Sequence, residues 1–306
     1  MPSTITVGLD GSAESLAAAE WAAREAILRD LPLRLVNASE WQAPAYAAAS
    51  GLDIPPVPRD PQHSSARRLL DDVRACITGR HPDLRVEVED IDGLPVSALL
   101  RAAEDAELLV LGSRGLGKVA GFLLGSVSLA VLAGCERPVV LVRSAQPEWQ
   151  ARAEEDPAGT RPAGPDRHDV VLGLDLSHPH DKLLEFAFDA ASRRAAPLRV
   201  VHGWTLPPYS YGGDLVPELD DDLARQVRRE LSTALRPWRE KFPDVEVSPQ
   251  TTVGGAGPHL VDASHDAALV VVGRRTRRSA VGTHIGPVTQ ALLHHAAAPV
   301  AVVPHD

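Results

Sequence analysis

The residues best placed to do chemistry lie in one stretch, G-S-R-G-L-G-K-V-A-G-F-L-L-G-S, from Gly112 to Ser126. Glycines at close spacing let backbone N–H groups approach an anion with no Cβ in the way. Read from Gly112, the stretch is nearly a P-loop, but Val119 stands where a Mg²⁺-binding hydroxyl belongs. Read from Gly115, it is nearly a dinucleotide fingerprint. No acidic residue follows at the right distance to take a ribose, since Glu136 precedes a different strand. Both of those loops also follow the first strand of their units, whereas this one follows the fourth.

The elements that must position the loop come from a sequence that says most things twice. I-T-V-G-L-D-G-S at 5–12 returns as D-V-V-L-G-L-D-L-S at 169–177. L-L-V-L-G-S-R-G at 108–115 returns as L-V-V-V-G-R-R-T at 269–276. Asp10 to Asp175 is an offset of 165, while Gly112 to Gly273, Gly125 to Gly286 and Pro138 to Pro299 are each 161. The chain is therefore a tandem duplication, with four residues fewer between the first and fourth strands of the second copy. Domain 1 spans 1–145, a Pro-, Gly- and charge-rich linker 146–168, and domain 2 169–306.

Short Val/Leu runs alternate with helical patterns in each copy. The first copy predicts strands near 4–9, 33–38, 84–90, 107–112 and 138–143, with helices near 13–29, 63–79, 95–104 and 126–134. The second predicts strands near 169–174, 198–203, 244–251, 268–273 and 299–303. Continuous apolar strands alternating with helices mean right-handed crossovers and a doubly wound parallel α/β sheet. Ligands of such sheets sit at the carboxyl ends of the strands, which puts Asp10 and Gly112 on one rim. Ser12 is the expected N-cap of the first helix.

G-x-x-G, nine residues, then G-S, as in Gly112, Gly115, Gly125 and Ser126, resembles the ATP-binding motif of the universal stress protein family. The resemblance covers both halves. It implies a five-stranded parallel sheet of order 3-2-1-4-5 in each domain, with helices on both faces. It also implies ATP, with Mg²⁺, as cofactor. By resemblance, the phosphates go to Gly112, Gly115, Gly125, Ser126 and the Val127 amide; Asp10 lies by the adenosine and Ala38 by the adenine edge. Arg114 and Lys118 lie inside the loop, either screening phosphate charge or simply solvated. In the second copy the positions read Gly273, Thr276, Gly286 and Pro287. Thr276 adds a side chain, and Pro287 removes a hydroxyl and an amide donor. Arg274, Arg275, Arg277 and Arg278 could hold an anion by charge, or form a solvated face. Asp175, Gly203, Gly273 and Gly286 are the contacts expected there, in a site unequal to the first.

Composition bounds the function. The 306 residues are 44% apolar, 24% charged and 4% aromatic, with a formal charge of −10, which argues against a nucleic-acid partner. There is no apolar run long enough for a membrane helix and no secretion-signal pattern, so a cytoplasmic protein is expected. Cys76 and Cys135 form no disulfide framework, and His294–His295, Asp181 and Asp220–Asp222 match no metal-ligand spacing. Pro-rich segments 41–58 and 204–217 follow each second strand, either as flaps over the adenosine or as variable loops. No nucleophile–base set is present, so the reading is a nucleotide-dependent stress-response sensor or regulator, not an enzyme, with slow ATP hydrolysis at most. The alternative is a scaffold that binds no nucleotide; a true ATP hydrolase is a third reading. In this family fifth strands often mediate pairing, so the domains are expected to form an internal pseudo-dimer. A further homodimer and a protein partner of unknown identity are expected beyond it.

Overall fold

The computed structural model describes residues 3–39, 60–113, 125–143, 168–204, 217–276 and 285–306. Linker residues 146–167, Gly115, Arg114, Lys118, Arg277, Arg278, the whole Pro-rich segment 41–58 and all but the two ends of 204–217 lie outside the described residues. The chain forms two compact units, Met1–Ser144 and Ala145–Asp306.

Unit 1 runs β1 (Thr4–Leu9), α1 (Ala13–Arg29), β2 (Leu33–Ser39), α2 (Asp60–Arg80), β3 (Val86–Asp92), α3 (Pro95–Glu104), β4 (Ala106–Gly112), α4 (Ser126–Gly134), β5 (Val139–Val142). Its strands pair in parallel in the order β3-β2-β1-β4-β5. Every residue of β1 is buried, and so is all of β4 except Glu107. Strands covered on both faces need no polar alternation. Helices α1 and α2 contact each other, as do α3 and α4. These are the two helical layers that right-handed crossovers place on opposite faces when strand order reverses between β1 and β4.

Unit 2 repeats the plan as β6 (Asp169–Gly173), α5 (Asp181–Arg193), β7 (Leu198–Trp204), α6 (Pro217–Lys241), β8 (Val247–Val253), α7 (Ala256–Ala263), β9 (Ala267–Arg275), α8 (Pro287–His295), β10 (Val300–His305). Its parallel order is β8-β7-β6-β9-β10, the same topology. The offset is still 165 at the start of β2 and β7 and has become 161 at the start of β3 and β8. The four-residue deficit therefore lies between the second and third strands, away from the loop after the fourth.

The predicted third strands start two to three residues early. In unit 1 the Leu84 N–H closes a turn onto His81 O (3.1 Å), and pairing begins at Val86. In unit 2 Val245 turns onto Phe242 O (3.2 Å) in the same way. The apolar residue in each turn lies between the helix end and the first paired residue of the strand.

Candidate functional site

The carboxyl end of β1 delivers Asp10 into a tight local network. Its Oδ1 accepts from the Ser12 N–H (3.0 Å) and the Ser12 hydroxyl (2.6 Å). Ser12 Oγ in turn accepts from the Ser15 N–H (3.1 Å) and caps α1 as expected. Ser15 stands where a capping box would have an acid, and its hydroxyl donates back to Ser12 O (2.9 Å). The Asp10 carboxylate is thus oriented before any ligand arrives, near a helix N-terminus that favours negative charge.

The end of β4 reveals a second reason for Gly112. A Cβ there would fall 2.8 Å from the backbone of both Glu14 and Ser15. The glycine lets β4 pack against the first turn of α1, whatever else it does for an anion. Ser113 is buried; its N–H donates to Val142 O (2.8 Å) and its carbonyl accepts from the Gly125 N–H (2.8 Å). The loop therefore leaves and returns through one hydrogen-bonded point. That bond corrects one expectation, because the Gly125 N–H is engaged by Ser113 and is not available to a phosphate. The φ of Gly125 is −70°, open to any residue, so the backbone conformation does not demand glycine there. The first-turn amides of Ser126 and Val127 lack intrahelical acceptors by construction. Ser128 Oγ ties α4 to Gly112 O (2.8 Å).

These residues enclose a cavity of about 330 Å³ at the switch point of unit 1. It brings together six expected residues, Asp10, Ala38, Gly112, Gly125, Ser126 and Val127. Sequence reasoning missed its apolar wall of Val36, Leu99 and Leu111, and also Asn37. The Asn37 Nδ2–H donates to Leu9 O (2.7 Å), fixing that side chain at the mouth of the β1–β2 groove. Position alone could have flagged it, one residue before Ala38.

Unit 2 has a cavity of about 490 Å³ at the equivalent place, and Asp175, Gly203, Gly273 and Gly286 all line it. Its construction differs. Helix α5 starts six residues after Asp175, whereas α1 starts three after Asp10. The Ser177 N–H still donates to Asp175 Oδ1 (3.0 Å). The cap is now His180, whose Nδ1 accepts from the Lys182 N–H (3.2 Å). With the helix start displaced, the space beside Gly273 is filled by another group: a Cβ there would lie 2.5 Å from His305 Nε2.

β9 also stays in the sheet longer than β4. It pairs with β10 through Arg274↔Pro304 and Arg275↔His305. Thr276, at the position of Gly115, donates its N–H to His305 O (2.7 Å), and its hydroxyl lies 2.9 Å from Asp306 Oδ1. Pro287 opens α8 and Thr289 Oγ1 reaches Gly273 O (3.5 Å), the tether that Ser128 makes in unit 1. Arg274, buried, and Arg275, exposed, line the cavity together with His178, His202 and His305. None of these three histidines was singled out by the sequence. His202 Nδ1 lies 2.8 Å from Leu174 O. A carbonyl only accepts, so Nδ1 carries the proton and Nε2 is the open nitrogen. Burial pushes the His305 imidazole below its ordinary value, and the nearby His180, Arg275 and Arg274 push the same way against a hydrogen bond to Asp306 O.

Two doubly wound units, each with a cavity at its switch point, define a tandem α/β protein. The model of the universal stress protein family matches residues 1–143 and 167–304. The chain belongs to that family. A universal stress protein of Mycobacterium tuberculosis is 32% identical over 325 residues, covering 99% of this chain and 96% of the relative. The crystal structure of a universal stress protein from Archaeoglobus fulgidus superposes with a TM-score of 0.67 at 19% identity, covering 99% of this chain and 98% of that one. Among the described residues no helix is long and apolar enough to cross a membrane, and no group of three or more His, Cys, Asp or Glu is placed to hold a metal ion.

Proposed function

We propose that unit 1 binds an adenine nucleotide, ATP with Mg²⁺, and that the chain acts as a nucleotide-dependent stress-response regulator. The observation that carries this reading is the cavity of unit 1. An Asp10 carboxylate locked by Ser12 faces it from one side, and the free first-turn amides of Ser126 and Val127 from the other, across an apolar wall. Adenosine would lie along the wall with its edge at Ala38 and its ribose at Asp10. The phosphates would meet Ser126 and Val127, with Gly115 and Arg114 supplied by the loop. In unit 2, Asp175, Gly203, Gly273 and Gly286 would contact a more weakly held nucleotide. Among the described residues no general base stands beside the proposed phosphates, which supports slow turnover at most. A cytoplasmic, dimer-forming protein with a protein partner that reads the bound nucleotide completes the reading.

The test is to denature the purified protein, identify the nucleotide released and count it per chain, then repeat with Gly115→Glu, which drives a side chain and a charge into the phosphate seat. About one adenine nucleotide per chain, lost in the variant with the fold intact, supports an occupied unit 1 and a weaker unit 2. About two, equally tight, overturns the inequality of the units. None, with no binding on adding ATP and Mg²⁺, leaves a scaffold.

A further inference from the structure

Unit 2 has gathered histidines where unit 1 has none. At the offset of 165, His178, His180 and His202 replace Ala13, Ser15 and Asn37. At the offset of 161, His305 replaces Ser144. Three of the four line the cavity, and the fourth, His180, lies with its ring centroid 5.0 Å from that of His305. Arg274 and Arg275 line the same cavity from β9. We infer that the unit 2 cavity is a proton-linked oxyanion site, in which a phosphate or sulfate group and a proton on His305 Nε2 bind together. The inference rests on the reading that the unit 2 cavity takes a ligand, and it names what regulates that ligand.

The hydrogen bonds select the nitrogen. His305 Nδ1 lies 3.3 Å from Asp306 O, an acceptor only, so Nδ1 carries the proton of the neutral ring and Nε2 is bare beside Gly273. His180 is not the receiver, because its Nδ1 lone pair caps α5 and a cation at a helix N-terminus opposes the dipole. His178 faces Asp175 (Nδ1 to Oδ2, 3.7 Å), which would balance a charge there locally. His202 faces the cavity from β7 with its Nδ1–H held by Leu174 O. The Asp306 carboxylate on the other side of His305 is engaged by the Thr276 hydroxyl. A proton on His305 Nε2 thus joins the cationic groups Arg274 and Arg275, while the carboxylate that lines the cavity, Asp175, lies against His178. An oxyanion seated beside His305, Arg274 and Arg275 meets positive charge from all three. By linkage, the anion favours the proton by the same factor that the proton favours the anion.

The test titrates the full chain with sodium sulfate at constant ionic strength, because the charge of sulfate does not change over this range. Affinity is compared at about pH 7.5 and about pH 5.5, where histidine changes charge. Proton uptake is counted by calorimetry in two buffers of different ionisation enthalpy. Sulfate that binds more tightly as pH falls, by up to about tenfold per pH unit for one proton taken up, is the expected result. The His305 ring resonance, identified by its absence in H305N, should shift on binding. Proton uptake should fall in H305N and affinity should fall severalfold in R275Q. If H305N does not fold, proton uptake by the wild-type chain and the R275Q affinity carry the test.

AMP and adenosine form the other arms. AMP following the sulfate pattern while adenosine does not assigns the effect to the phosphate group. Sulfate and AMP binding in unit 2 with no proton taken up overturns the inference and leaves the nucleotide reading intact. No movement of the His305 signal with any of the three ligands overturns both for unit 2, while the nucleotide count of unit 1 is untouched.

Discussion

The two copies part company at the end of the fourth strand. In unit 1 the chain turns out of the sheet at Ser113, and one bond, from the Gly125 N–H to Ser113 O, closes the base of the loop. In unit 2 the strand runs on to Arg275, and Thr276 is fastened to the last residues of β10. The upstream difference is the start of the first helix. Where α1 begins early, its first turn occupies the hollow beside Gly112; where α5 begins late, a histidine from β10 occupies the hollow beside Gly273. Two glycines at equivalent positions are therefore kept for different neighbours. A shared fold preserves the cavity, and the identity of the group filling one hollow decides whether backbone amides or charged side chains face it.

The largest effect expected from this comparison concerns the loop itself. Gly115→Glu should weaken ATP binding in unit 1 by about 100-fold, the loss of one or two charge-assisted hydrogen bonds plus a repulsive carboxylate. The matching change in unit 2, Thr276→Glu, should alter nucleotide binding far less, since Thr276 is bound to His305 O and Asp306. Isothermal titration of both variants checks the pair. Equal losses would mean that the two loops do the same work after all.

Next in size is packing. Gly112→Ala forces a methyl to 2.8 Å from backbone atoms of Glu14 and Ser15, which cannot swing aside. Unit 1 should lose about 1–3 kcal/mol, the usual cost of overpacking. Gly273→Ala meets the rings and methyls of His305 and Leu183, which are side chains, and should cost less. Urea denaturation of the two variants decides between these costs. A Gly112→Ala protein as stable as the parent would show that the β4–α1 approach is loose.

This contrast also explains what could be seen in the sequence. The strands and the helices 13–29, 95–104 and 126–134 were legible because buried parallel strands and periodic helices leave strong apolar patterns, whereas the strand order came from the family resemblance. Of the residues around the unit 1 cavity, Gly112, Gly125 and Ser126 stood out by their spacing, and Asp10, Ala38 and Val127 were named through the family resemblance. Asn37, His202 and His305 were not, because their roles depend on which side chain lies across the sheet from which carbonyl. The packing role of Gly112 was hidden for the same reason: its neighbour, the first turn of α1, is about a hundred residues away in the chain. His305 could be placed only once β10 was seen to outrun β5.

A smaller effect should separate the two aspartates. Asp10→Ala removes the acceptor of both the Ser12 N–H and the Ser12 hydroxyl and loosens the cap of α1, at a cost of about 1 kcal/mol. Asp175 holds only one backbone amide, that of Ser177, among the bonds that correspond, and its side chain is 60% exposed. Asp175→Ala should therefore change stability by only a few tenths of a kcal/mol. Thermal melts of the two variants are enough to tell. A larger loss from Asp175→Ala would reverse the ordering of the two rims.

The smallest effect is a pH dependence confined to unit 2. Burial holds the His305 imidazole below its ordinary value of 6.5, so as pH falls the unfolded chain takes the proton first. The unfolded state then binds more protons than the folded one, and stability declines from about pH 6.5 down to the lower value of the folded group, below which this loss is complete. Hydrogen-exchange protection of the β9 and β10 amides should fall across that window, and H305N should abolish that part of the fall. The β4 and β5 amides of unit 1, which have no histidine at the matching cavity position among the described residues, should not share it. Added sulfate should restore protection in the parent chain and not in H305N, because an anion that seats the proton raises the affinity of the folded state for it. If the loss of protection were the same in both units, it would trace to general charging of the chain and not to His305.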